Sequence, residues 1–131
     1  LRLLLDTHVV LWAITLDPKM PRRAHELIGD ASNDQIVSTV TIWEVAIKHA
    51  RSSGRPNDIP WSGTRLLSRL NAIDANILPI LPTHAAAMDD LPPLHGDPFD
   101  RLLIAQARTE SMHLLTHDKT LAAYGDFVIV V

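Results

Sequence analysis

An α/β fold of three layers is expected of this chain, in which a mainly parallel, five-stranded sheet carries helices on both faces. Three features point to it. Five short β-type runs punctuate the chain, several of them are continuously apolar rather than alternating, and helical segments lie between them. A strand that is apolar at successive positions is one covered on both faces. Strand and helix alternation of this kind builds a parallel sheet.

The first run, LRLLLD at 1–6, opens the sheet and ends in an acid, Asp6. A helix is expected over Pro21 to Gly29, with proline at its start and glycine at its end. The second strand is QIVSTV at 35–40, followed by a helix from Thr41 to Ser53 that Gly54 closes. A further helix spans Trp61 to Ala75 and leads into the third strand, NILPI at 76–80. His84 to Asp90 and Pro98 to Ser111 are the next helices. HLLTH at 113–117 is the fourth strand, Lys119 to Tyr124 a last helix, and FVIVV at 127–131 the fifth strand. In such folds functional groups gather outside the carboxyl ends of the strands.

The 131 residues suit a single domain spanning 1–131. A hydrophobic share of 47% beside 21% charged residues is that of an ordinary soluble globular protein. Apolar runs such as Val9 to Ile14 are too short to cross a membrane, so no membrane association is expected. No basic-then-apolar signal pattern opens the chain, although its first residue is Leu1 rather than Met. Without cysteine there are neither disulfides nor thiolate metal sites, which fits a reducing cytoplasm. The net charge of −3 argues against a general nucleic-acid binder. Neutralising four acids with bound metal would turn that balance weakly positive, so net charge excludes nothing.

Four acids fall at one edge of the expected sheet. Asp6 ends the first strand and Asp118 follows the fourth, in LLTHD. Either alone is explained by capping of the following helix; both at equivalent strand ends point further. Glu44, in TIWEVAIKHARSSGR, sits near a helix start just after the second strand. At about 100° per residue, Ile42, Trp43, Val45, Ala46, Ile47 and Ala50 form one apolar side of that helix. Glu44, Lys48, Arg51 and Arg55 then form the opposite stripe, either a solvated face or a basic track for phosphates leading away from the acid. In HGDPFD, Pro98 suits the first helical position and Asp97 its N-cap. Asp100 is left over, near the helix start but not needed to begin it.

Four converging carboxylates, Asp6, Glu44, Asp100 and Asp118, repel one another unless a cation joins them. Oxygen donors without His or Cys at ligand spacing suit Mg2+ or Mn2+ better than Zn2+. Such a centre serves attack of water on a phosphodiester. The residues themselves reach a metal-dependent phosphoester hydrolase and do not choose the substrate.

The stretches LLLDTHVVLW, TIWEVAIK, LPPLHGDPFDRLLIAQA and LLTHDKTL resemble the successive motifs of PIN-domain ribonucleases, specifically the VapC toxins of bacterial toxin–antitoxin pairs. The resemblance extends over essentially the whole chain, and the third motif is its most specific part. It implies that Asp6, Glu44, Asp100 and Asp118 are the catalytic, metal-ligating acids, with Thr116 orienting the site; Asp97, the expected cap, is a candidate for the outer shell of the metal. It also implies a sheet order of 3-2-1-4-5, a homodimer, inhibition by a cognate VapB-type antitoxin, and cleavage of tRNA, rRNA or mRNA.

His8, His95 and His117 lie beside the acids in sequence, and supporting or surface roles are expected for them over phosphate contact. His113 and His117 span a strand, which disperses them. Trp12, Trp43 and Trp61 are expected as core or dimer anchors rather than base-stacking platforms. A haloacid-dehalogenase-type phosphatase would need a second Asp where His8 stands, and a receiver domain would need an Asp after the third strand. A non-catalytic module with the same fold, binding only a protein, is the remaining alternative.

Overall fold

The computed structural model describes residues 1–51, 54, 59 and 61–131. Strands β1 (Arg2–Leu5), β2 (Asp34–Ser38), β3 (Asn76–Leu78), β4 (His113–Thr116) and β5 (Val128–Val130) form one sheet in the order 3-2-1-4-5. Every pairing is parallel. The helices are α1 (Thr7–Thr15), α2 (Arg22–Gly29), α3 (Thr39–Ala50), α4 (Gly63–Ala72), α5 (Pro82–Ala86) and α6 (Pro98–Thr109). Ala87–Asp90 and Lys119–Tyr124 are 3-10 helices.

The apolar runs are explained by the two cores they serve. Along β1, Leu4 packs into a cluster with Leu103, Ile104 and Leu114, whereas Leu3 and Leu5 enter a second cluster with Val9, Leu66 and Leu70. Side chains alternate across a strand, so a central strand covered on both sides has no solvent face to mark with polar residues. β2 divides in the same way, with Ile36 on one side and Val37 on the other.

α6 is tied to the sheet by buried polar contacts as well as by packing. Ser38, at the end of β2, donates to Gln106 Oε1 and caps Val40 N. Gln106 Nε2 donates to His84 Nδ1 at 3.2 Å, and Leu81 N donates to the same nitrogen at 3.0 Å. The His84 proton therefore sits on Nε2, which donates to Glu110 Oε1 at 2.8 Å. Ser38, His84 and Gln106 are all fully buried, and the chain of bonds spans β2, α6 and α5.

Three departures from the sequence expectations bear on the carboxyl edge of the sheet. α1 is an additional helix: THVVLWAIT is apolar nearly all round, so it carries no helical polar face to read. Asp6 caps its first turn and Leu16, in the left-handed region at φ 53°, stops it. α3 starts at Thr39 because Ser38 caps it, which moves two residues of the expected strand into the helix. The burial of α3 is also rotated: Glu44 is 2% exposed, whereas Trp43 and Ile47 are 46% and 38% exposed. The apolar side expected to be buried thus faces partly outward, and Trp43 packs edge-on against Phe99, with ring centres 4.8 Å apart.

α3 and α4 cross at Gly63, where a Cβ would lie 2.8 Å from the Ala46 Cβ and 3.4 Å from the Ile42 carbonyl. Gly63→Ala should cost about 1–3 kcal/mol by overpacking, and adding Ala46→Gly should return most of it. Urea unfolding of the single and double variants measures both; equal midpoints for the single variant and the parent would remove the tight crossing.

Candidate metal centre at the carboxyl edge of the sheet

β1 and β4 are neighbours in a parallel sheet, so the residues just past each strand emerge at the same edge. Asp6 comes directly after β1 and is 5% exposed. Its Oδ1 accepts from Val9 N at 2.9 Å, capping α1, and its Oδ2 accepts from the Thr116 hydroxyl. Thr116 also accepts from Asp118 N at 3.0 Å, so one hydroxyl joins the ends of the two strands. Burial pushes the Asp6 carboxyl up from its ordinary range, against the hydrogen bonds from Thr116 and Val9.

Asp118 lies at the opening of the last 3-10 helix, where its Oδ1 accepts from Thr120 N at 3.0 Å and from the Thr120 hydroxyl at 2.7 Å. The Thr120 hydroxyl holds its carboxyl below the usual value. Asp97 caps α6, accepting from Phe99 N at 2.9 Å and Asp100 N at 3.4 Å. Asp100 is free of the cap and meets His95 Nε2 at 2.9 Å. Burial and the neighbouring Asp97 raise its pKa to about 6, with Glu44 and Asp6 pushing the same way. Those contributions place Asp100 within electrostatic reach of Asp97, Glu44 and Asp6.

His95 Nε2 lies 4.0 Å from Asp118 Oδ2 as well. Ligand atoms of His95, Asp100 and Asp118 all fall within 4.8 Å of one another, a span that fits a single cation. The donors are two carboxylates and one imidazole; the carboxylates suit a hard divalent ion, and the imidazole admits softer ones as well. A histidine joins the two carboxylates in this group, where sequence reasoning expected oxygen donors alone. His95 stands beside the acids in sequence, yet its seat between two of them depends on how the loop before α6 folds.

Glu44 sits deeper than expected. Its Oε1 accepts from Thr7 Oγ1 at 2.6 Å, and Oε2 pairs with Lys48 Nζ at 2.5 Å. Sequence reasoning misses Thr7, which faces the site because α1, missed likewise, begins there. Of the expected stripe, Lys48 turns toward Glu44, Arg51 is exposed at the end of α3, and Arg55 lies outside the described residues. Trp12 is half-buried beside the exposed His8 and His117, at 6.1 and 5.4 Å between ring centres. His117 Nδ1 bonds the Val131 carbonyl oxygen at 2.6 Å, away from the acids.

The PIN domain family model matches residues 3–126. Among solved structures, the chain resembles VapBC2 from Rickettsia felis bound to a DNA fragment from their promoter, with a TM-score of 0.65, 16% identity and coverage of 100% of this chain and 98% of that one. It also resembles FitAcB from Neisseria gonorrhoeae, with a TM-score of 0.66, 20% identity and coverage of 98% and 96%. A toxin–antitoxin complex from Klebsiella pneumoniae gives a TM-score of 0.64, 17% identity and coverage of 97% and 95%. No curated protein matches the chain by sequence.

The raised pKa of Asp100 has a consequence for stability. The folded protein binds that proton more tightly than the unfolded chain, whose carboxyl titrates near 3.8, so ionising Asp100 weakens the fold as pH rises through about 6. Asp100→Asn should therefore raise the melting temperature of the metal-free protein above about pH 6 and leave it unchanged below about pH 4. Melting in chelator across that range measures the difference; a constant offset at every pH would mean that the carboxylate is not the cause.

Proposed function

The chain belongs to the PIN-domain family, and on that premise we propose that it is a Mg2+- or Mn2+-dependent endoribonuclease, the VapC-type toxin of a toxin–antitoxin pair. The observation that carries this reading is the grouping of Asp100 and Asp118 with His95 at one sheet edge, near enough to Asp6 and Glu44 for both to raise the Asp100 pKa. Acids packed this closely are costly without a cation, and a chain that keeps them together has a use for one. The likeness to VapBC2 and FitAcB in fold supports the toxin assignment.

A divalent ion at such a centre supplies an activated water and a charge to steady the leaving oxygen of a phosphodiester. The protein's own part is to hold the acids in place before substrate arrives. Thr116 fixes Asp6 and Asp118 in register, and the backbone of α1 holds the second Asp6 oxygen. Asp97 fixes the start of α6 and so aims Asp100. His95 meets Asp100 at 2.9 Å and lies 4.0 Å from Asp118, so it stands between the two acids.

RNA is the substrate in this reading, whether tRNA, rRNA or mRNA, and exposed Arg51 is available to its phosphates. A VapB-type antitoxin and a second copy of the chain are the proposed protein partners. The outward Trp43 and Ile47 of α3 supply apolar surface for such contacts. No helix among the described residues is long and apolar enough to cross a membrane. A single domain over residues 1–131, working in the cytoplasm, completes the proposal.

Two outcomes are expected. Asp6→Asn, Asp100→Asn and Asp118→Asn should each abolish Mn2+-dependent RNA cleavage with the fold intact, whereas Asp97→Asn should be mild because Asn caps as well as Asp. Asp97→Ala should lose about 1 kcal/mol of stability and keep cleavage at low temperature. Cleavage by Asp100→Asn at the parent rate would defeat the nuclease reading. Mn2+ should also raise the melting temperature, adding about 2.7 kcal/mol at a hundredfold excess over Kd; a melt indifferent to millimolar Mn2+ would count against a formed site.

A further inference from the structure

The centre contains a cation of its own. Glu44 is buried, its side chain 3% exposed, and a carboxylate at that depth needs partners for both oxygens. It has them: Thr7 Oγ1 on Oε1 at 2.6 Å and Lys48 Nζ on Oε2 at 2.5 Å. Thr7 is held in turn by Thr41, at 3.2 Å between the hydroxyl oxygens. Lys48 lies one turn after Glu44 on the same helix, the favoured order for such a pair. Its side chain is 35% exposed, so its stem lies along the protein while the ammonium reaches inward.

The other side of the centre is different. Asp100 and Asp118 have, among the described residues, no basic partner within 4 Å except the shared imidazole of His95. Their ligand atoms and that of His95 lie within 4.8 Å of one another, and Glu44 is not in that group. An ion bound to Oε2 of Glu44 would sit against an ammonium already at hydrogen-bond distance, and like charges so close repel strongly.

We propose that Lys48 is the resident cation of this centre, neutralising Glu44 as a buried pair, so that Glu44 is a positioning residue and one divalent ion is held on the His95, Asp100 and Asp118 side. The inference rests on the metal centre of the proposed nuclease and deepens it. Thr7 and Lys48 hold Glu44, and the ammonium takes the Glu44 oxygen that a second divalent ion would need. The lysine is therefore committed to Glu44 rather than serving as a link in an exposed basic track.

The test is calorimetric titration of the whole protein with Mn2+, without RNA. The parent should bind one ion. Glu44→Gln leaves the ammonium unpaired beside the ion and should weaken Mn2+ binding at least fivefold. Glu44→Gln with Lys48→Met removes the pair as a unit, keeps the shape of both side chains, and should return the affinity to within twofold of the parent. A double variant as weak as Glu44→Gln would make Glu44 a direct ligand and overturn the proposal. Two ions on the parent would overturn it without any variant, while leaving the nuclease reading intact. No ion on the parent would overturn the metal centre itself and this assignment with it.

Discussion

Asp6, a buried carboxylate held where the central strand ends, is the contact around which the whole carboxyl edge is organised. Its two oxygens do different work. One closes the first turn of α1, which turns the chain back over the sheet, and the other takes a hydrogen bond from Thr116 on the adjacent strand. A charge this deep is tolerated only with such donors, so the residue most exposed to electrostatic penalty is also the one that ties two elements together. Replace either donor and the cost appears at the strand end and at the helix start together.

The same economy runs through the edge. Most acids of the centre are fixed by a contact the fold needs anyway: Asp118 opens the last 3-10 helix, Asp97 opens α6, and Glu44 closes a buried group with Thr7 and Lys48. Asp100 is the exception, since no cap requires it, and its pKa is raised as far as about 6. The Ser38, Gln106 and His84 bonds hold α6 against the sheet, which keeps Asp100 in range of Asp6 despite their mutual repulsion. Fully satisfied buried networks of this kind make a packing arrangement specific rather than merely stable.

The sheet is legible in the sequence because its strands are apolar on both faces, and the acids are legible because each follows a recognisable element. Asp97 and Asp100 separate correctly on capping chemistry alone, since Pro98 marks the first helical position. Direction is what the sequence hides. Glu44 and Trp43 are adjacent residues, and a helical wheel says they face differently without saying which faces the protein; a wholly apolar side invites the wrong choice. α1 escapes notice for a related reason, because a short apolar segment covered on most sides has no period to detect. His95 sits in a loop, where a side chain's position is set by the folded backbone and leaves no pattern in the sequence.

The central strand is made long before it is completed. Thr116 and Asp6, which share a hydrogen bond, are 110 residues apart in the chain, and β1 pairs with β4 only after α6 has been synthesised. Contacts of such long range make folding slow and late. A chain still growing on the ribosome holds Asp6 and Glu44 but has neither the strand that steadies the first nor the acids that complete the edge. The order of synthesis thus keeps the centre unassembled until α6 and β4 have been made, a delay written into the topology rather than into any single residue.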